Sequence, residues 1–181
     1  MELFARHNSG TYNNMWMVLD YKLFAPRKPL AANTFWVGEQ APGYWHAEDQ
    51  THTLSYGYWP SYNKALYPGT ANRTMQDQMV KQHGSYYSYS HTPRAEIFRR
   101  DQSNVTDEAG MRRILRYNRY QSDPLSGKSP CDTLACRGDL MPTPRASGAV
   151  NAKFTSSARL AKGQMLFVAG PTHDDQKVFA W

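Results

Sequence analysis

Residues 12–24, Tyr12-Asn13-Asn14-Met15-Trp16-Met17-Val18-Leu19-Asp20-Tyr21-Lys22-Leu23-Phe24, carry the reading of the fold. Their density of aromatic and apolar side chains predicts a long, largely buried strand, closed by Pro26 and Pro29. Thr34-Phe35-Trp36-Val37 predicts a second strand. It stops at Ala41-Pro42-Gly43-Tyr44, whose residues suit a turn. Two strands joined by a proline-rich connection predict an antiparallel pair.

Outward from this pair the pattern changes. Residues 49–63 mix polar and aromatic side chains, and Trp59-Pro60 breaks any regular element. Residues 71–83 predict a helix with Met75, Met79 and Val80 on one face and Gly84 as its stop. Arg94 to Arg99, carrying Ile97 and Phe98, predicts a short strand. The best-marked helix is 107–120. Thr106 stands as its N-cap, and Asp107 and Glu108 occupy the first turn. Arg112, Arg113, Arg116 and Arg119 follow toward the C-terminal end, where cations complement the helix dipole. Met111, Ile114 and Leu115 share a face that Asn118 extends. Pro124, Pro130, Pro142 and Pro144, with Gly127, Gly138 and Gly148, predict a long surface loop over 121–150. Met165 to Ala169 predicts a buried strand or helix end, stopped by Gly170-Pro171.

The composition narrows the class. In 181 residues, 40% are hydrophobic and 20% charged, which excludes a disordered chain and allows one domain with a core. The aromatic share of 13% suits a packed interior edged by polar-tipped rings. A mean hydropathy of -0.72 is low for a self-contained globule, as though part of a larger core were supplied elsewhere. The net charge of +6 is spread in short pairs such as Arg99-Arg100 and Arg112-Arg113. No basic run of the kind that lines a nucleic-acid groove occurs, so the charge reads as a solvated surface. No apolar run reaches the roughly 18 residues that span a bilayer. The first seven residues lack the pattern of a signal peptide. Asn72-Arg73-Thr74 and Asn104-Val105-Thr106 are N-glycosylation acceptors and point toward a secretory route.

Small motifs identify no complete active site. The six histidines form no zinc pattern, and neither a Gly-x-Ser-x-Gly elbow nor a phosphate loop is present. Cys131 and Cys136 could be a metal pair, a redox pair or a disulfide. Zinc lacks further ligands nearby and the Cys-x-x-Cys spacing is absent, so a short disulfide is favoured. Arg137-Gly138-Asp139 invites an adhesion reading, which carries little weight.

Longer strings say more. Asn8-Ser9-Gly10-Thr11-Tyr12-Asn13-Asn14-Met15-Trp16-Met17-Val18, Glu39-Gln40-Ala41-Pro42-Gly43, Gly57-Tyr58-Trp59-Pro60-Ser61-Tyr62-Asn63 and Pro93-Arg94-Ala95-Glu96-Ile97-Phe98-Arg99-Arg100-Asp101-Gln102 stand in this order. Arg116-Tyr117-Asn118, Asp123-Pro124, Pro130-Cys131, Cys136-Arg137-Gly138-Asp139-Leu140, Gly170-Pro171-Thr172 and Phe179-Ala180-Trp181 continue it. The series resembles the phospholipase B-like family over nearly the whole chain. Met15 stands where the family usually has Gln, and Ala41 where it has Ile.

The resemblance implies an α+β fold: part of a four-layer αββα N-terminal-nucleophile hydrolase sandwich with mostly antiparallel sheet. It also implies a precursor cut internally to expose an N-terminal cysteine, whose thiol is the nucleophile and whose amine is the base. That cysteine lies upstream of the Asn-Ser-Gly-Thr-Tyr string in the family, and only Met1 to His7 precede the string here. Residues 1–181 are therefore expected to be the C-terminal portion of one domain, inactive alone, with the nucleophile half and the extreme C-terminus outside it.

Asn63 matches the family's oxyanion-hole asparagine, and Arg94 the arginine beside the nucleophile. Read from the residues alone, they would be a loop anchor and a surface cation. The implied function is hydrolysis of acyl ester or amide bonds, phospholipid deacylation among them, without metal or cofactor. Implied partners are an acyl-lipid or amide substrate and the upstream half of the precursor, with no nucleic acid and no transmembrane segment; a homo-oligomer is left open. The implied location is lysosomal or secreted. A non-catalytic glycoprotein or binding domain keeping the fold is the alternative. An aromatic-rich nucleic-acid binder using Tyr86, Tyr87 and Tyr89 is a third reading.

Overall fold

The Ala41–Tyr44 turn is the hinge from which the first half of the chain is built. In a computed structural model describing residues 1–180, strands on both sides of that turn pair in antiparallel register. The chain divides into two units, Met1–His91 and Thr92–Trp181. The fold is α+β with antiparallel sheet. Trp181, the last residue of the terminal match, lies outside the described residues.

The first unit opens with a single helical turn, α1 (Glu2–Ala5). A three-stranded sheet follows in the order β1 (Met15–Leu19), β2 (Phe35–Ala41), β3 (Tyr44–Asp49). Helices α2 (Thr51–Leu54), α3 (Pro68–Arg73) and α4 (Gln76–His83) complete it. The expected antiparallel pair is present, with Met15 opposite Glu39 and Leu19 opposite Phe35. The long buried strand is not. Regular pairing ends at Leu19, Asp20 caps a short helical turn over Tyr21–Leu23, and Met17, Val18 and Leu19 are 40–50% exposed. The reason is position: β1 is a sheet edge, so its apolar run meets protein only in part.

One sheet face buries Met15, Phe35 and Val37 with Tyr67, and Leu54, Trp59, Leu66 and Tyr89 pack against this cluster. On the other face Trp45 lies over Gly38, where a Cβ would collide with the indole ring. Phe4 packs edge-on to Trp16 at 4.7 Å. The single helix expected over 71–83 is two helices, because Met75 takes a left-handed φ of 58° and breaks the run. Met75 is exposed and lines no core face. Gly84 does end α4, with its N–H donating to Val80 O.

The second unit begins with α5 (Pro93–Asp101), where a strand was expected. Alternating burial of Ala95 and Ile97 mimics a strand. Thr92 decides otherwise: its hydroxyl accepts from Ala95 N–H, and Pro93 takes the first helical position. Helix α6 (Glu108–Leu115) is shorter than expected and capped by Asp107, not Thr106, through Gly110 N–H at 2.6 Å. Strands β4 (Asn151–Phe154) and β5 (Leu166–Ala169) form a hairpin around α7 (Ser157–Leu160). The strand form of the 165–169 reading holds, but Phe167 is 55% exposed.

Two of the four arginines read as charging the second helix lie beyond it. Arg116 is buried and donates to the Asp174 carboxylate and to Gly170 O; Arg119 pairs with Asp175 at 2.9 Å. Asn118 sits off the helix, its amide donating to Pro130 O and Ala135 O. The 121–150 segment is irregular as expected, and residues 142–148 are exposed as a surface loop would be, but the stretch before them is not at the surface throughout. Asp123, Ser126, Thr133, Ala135 and Arg137 are all buried within it. Cys131 and Cys136 are joined as a disulfide. The Arg137-Gly138-Asp139 triplet is internal: Arg137 grips Asp139 with two bonds of 2.7 Å. A Cβ on Gly138 would collide with Ser147 O, so adhesion chemistry is closed to it. Among the described residues no helix is long and apolar enough to cross a membrane.

Candidate active site

The site grows from the aromatic segment before Asn63. Trp59 packs edge-on against Phe35 at 5.4 Å. The Tyr89 hydroxyl donates to Pro60 O at 2.6 Å, and Tyr62 is buried against the Tyr89 ring. Burial pushes the Tyr89 phenol well above its ordinary range, with the Glu39 carboxylate adding to it. These contacts fix the chain up to residue 62. Asn63 then turns it with a left-handed φ of 57°, a conformation asparagine tolerates better than most residues.

Beyond the turn, two side chains from elsewhere take hold of the backbone. Gln76, the first residue of α4, accepts from Ala65 N–H at 2.8 Å and donates back to Ala65 O at 2.9 Å. Glu39, on β2 and 2% exposed, accepts from Leu66 N–H at 2.7 Å and Tyr67 N–H at 3.1 Å. A carboxylate is tolerated at this depth because backbone N–H groups replace its water. The Tyr67 phenol is pushed up to about 12 by burial, with the Glu48 and Glu39 charges assisting.

Asn63 is thereby set on the wall of a cleft of about 410 Å³. Tyr12 to Met15 from the strand's leading edge, Glu39, Gln40, Lys64 and Gln76 share that wall. Most of the lining side chains are uncharged polar groups, although apolar atoms make up the larger share of the exposed wall. Thr70, also at the wall, has its hydroxyl oxygen buried with no hydrogen-bond partner among the described residues.

Arg94 belongs to the second unit. It lies in the first turn of α5, half-buried, between the buried Thr92 and Ala95. Cys131 and Cys136 are spent on each other, and Asn72 and Asn104, the two sequon asparagines, are exposed. Among the described residues no group of three or more His, Cys, Asp or Glu side chains gathers as a metal site would require.

Sequence reasoning named Asn63 but missed what holds it. Glu39 carried a signal: an acid inside the apolar run Phe35-Trp36-Val37-Gly38-Glu39 needs buried partners. Gln76 carried none, because a glutamine at a helix start is ordinary.

Comparison with known proteins bears on the family rather than on the geometry of the site. The family model described as Phospholipase B matches residues 1–181. Phospholipase B-like 1 of Homo sapiens is 41% identical over 182 residues, covering 99% of this chain and 33% of the relative. Phospholipase B-like protein F of Dictyostelium discoideum is 39% identical, covering 98% and 33%. Phospholipase B of Crotalus adamanteus is 40% identical, with 99% and 33% covered. The chain thus spans about a third of the length of the curated relatives it matches. A match along every residue, at about 40% identity with relatives so far apart, leaves one conclusion: the chain belongs to the phospholipase B family.

Proposed function

We propose that this chain is the C-terminal portion of a hydrolase that cleaves acyl ester or amide bonds, with phospholipids among its substrates. The observation that carries this reading is Asn63, held in a left-handed turn on the wall of a cleft that it shares with several uncharged polar side chains. A neutral amide so placed can donate to the oxygen that becomes negative as an acyl carbon turns tetrahedral. It stabilises that charge without giving up a proton. Held before the reaction begins, it costs no reorganisation during it.

The nucleophile is then a cysteine of the full-length protein outside this chain, exposed by internal cleavage, with its own α-amine as base. The disulfide between Cys131 and Cys136 supports this, since neither thiol is available for attack. Arg94 stands beside that nucleophile and favours its thiolate. The exposed apolar edge of β1 supports a place within a larger αββα sandwich, completed by the upstream half of the precursor. The disulfide and the exposed sequons at Asn72 and Asn104 support passage through an oxidising, glycosylating compartment and a lysosomal or secreted location.

The test is made on the full-length protein from a secretory host. Terminal sequencing and mass spectrometry should find an internal cut with cysteine at the new N-terminus. Alkylating that cysteine should abolish release of fatty acid from phosphatidylcholine in mixed micelles. An uncut protein, or one whose new N-terminus carries no nucleophile, would establish the non-catalytic glycoprotein instead.

A further inference from the structure

We propose that Gln76 is a positioning residue for Asn63, acting through the backbone of Ala65; this rests on the reading of Asn63 as the oxyanion donor. The two bonds of Gln76 form a closed clamp, Ala65 N–H to Oε1 at 2.8 Å and Nε2–H to Ala65 O at 2.9 Å. A two-point contact fixes both the place and the rotation of the peptide it holds, whereas a single bond leaves it free to swivel. Ala65 is two residues from Asn63. The left-handed turn therefore runs between the buried Tyr62 on one side and the clamp on the other, with Glu39 gripping residues 66 and 67 just beyond.

Gln76 is itself well anchored. It opens α4 immediately after the left-handed Met75, so the break between α3 and α4 aims the first side chain of the new helix back at residue 65. That break has no core purpose, since Met75 is 59% exposed. Both Gln76 and Ala65 line the cleft with Asn63, so the clamp lies at the site and not at a remote surface. Gln76 touches no reacting atom; it decides where the Asn63 amide stands when charge develops. Misplacement by a fraction of an ångström weakens a donor that acts mainly in the transition state, so turnover suffers before affinity does.

The experiment is a double-mutant cycle in the full-length, processed protein, with phosphatidylcholine in mixed micelles as the probe. Gln76→Ala should lower kcat by about tenfold to a hundredfold, with KM within about twofold. In an Asn63→Ala background the same change should cost almost nothing further, because the donor it positions is gone. Gln76→Glu, which keeps the acceptor for Ala65 N–H but sets a carboxylate oxygen against Ala65 O, should fail to restore turnover. Should the alanine variant not fold, Gln76→Met preserves side-chain volume, removes both bonds and carries the same cycle. A loss of equal size in both backgrounds, or a silent Gln76→Ala beside a damaging Asn63→Ala, would overturn the positioning role and leave the Asn63 reading intact. A silent Asn63→Ala would overturn the oxyanion reading itself.

Discussion

The two units hold their irregular segments with opposite chemistry. In the first, residues 65–67 turn N–H groups inward, and acceptors meet them: Gln76 at Ala65, Glu39 at Leu66 and Tyr67. In the second, residues 170–177 turn carbonyls inward, and guanidinium groups meet those: Arg116 at Gly170 O, Arg137 at Thr172 O and Lys177 O. Which backbone groups face the interior decides which side chain the sequence must supply there. Several arginines are structural in a second way, tied to Asp101, Asp123, Asp139, Asp174, Asp175 and Glu108.

This contrast breaks most visibly at Arg137. Arg137→Ala leaves the nearly buried Asp139 without its cation and strips two carbonyls, so it should destabilise the full-length protein by about 3–5 kcal/mol. Arg137→Lys should recover little, because an ammonium cannot span a carboxylate and two carbonyls at once. Thermal melts of both variants decide it; a near-normal Arg137→Lys would mean that charge alone matters there.

Acid sharpens the comparison next. Burial alone would raise the Asp123 carboxyl, but hydrogen bonds from Arg100, the Tyr117 hydroxyl and Leu125 N–H outweigh it and hold it at about 2. The folded value lies below the unfolded one of about 3.9. Its contribution, about 2 kcal/mol, is therefore complete above about pH 4 and disappears as pH falls toward 2. Asp123→Asn should flatten that part of the stability–pH curve, and an unchanged curve would place the acid sensitivity elsewhere.

The disulfide is expected to matter about as much or slightly less. Closing so short a loop stabilises by about 2 kcal/mol, and the loop is also pinned by Arg137 N–H on Pro130 O and by the Asn118 amide. Replacing Cys131 and Cys136 together with serine should lower the melting point without loss of fold. In unreduced secretory material, two freely alkylated thiols would contradict the pairing. The smallest effect belongs to Arg94→Ala. Removing a cation near a thiol raises its pKa, so the acidic limb of the pH–rate profile should move upward by about one unit. A stationary limb would return Arg94 to a structural role in α5.

The difference between the units also marks what the sequence could reveal. Local signals worked where local physics decided the outcome. The Ala41-Pro42-Gly43-Tyr44 turn and the Gly84 stop stand where their residues implied. The Thr92-Pro93 helix start is equally local, yet Ile97 and Phe98 pull the reading of the same residues toward a strand. Long-range partnerships were illegible. Arg116 finds Asp174 across 58 residues and Arg119 finds Asp175 across 56, so both read as helix-charging groups. Prolines and glycines over 121–150 signal an irregular chain, but nothing in them distinguishes the exposed stretch 142–148 from the earlier residues, where Asp123, Ser126, Thr133, Ala135 and Arg137 are buried. Asn63 and Arg94 enter as candidates only through family resemblance. The clamp behind Asn63 joins residues eleven apart through a break that begins at an ordinary methionine.

The proposed stabilisation of an oxyanion by the Asn63 amide is tested most directly by steady-state kinetics of Asn63→Ala in the full-length, processed protein. The expected result is a fall in kcat of about two to three orders of magnitude, roughly 3–4 kcal/mol of barrier, with little change in KM. Asn63→Gly, which relieves the left-handed backbone but equally lacks the donor, should lose as much. Near wild-type turnover in a folded Asn63→Ala or Asn63→Gly protein would contradict the oxyanion role and make Asn63 a turn residue only.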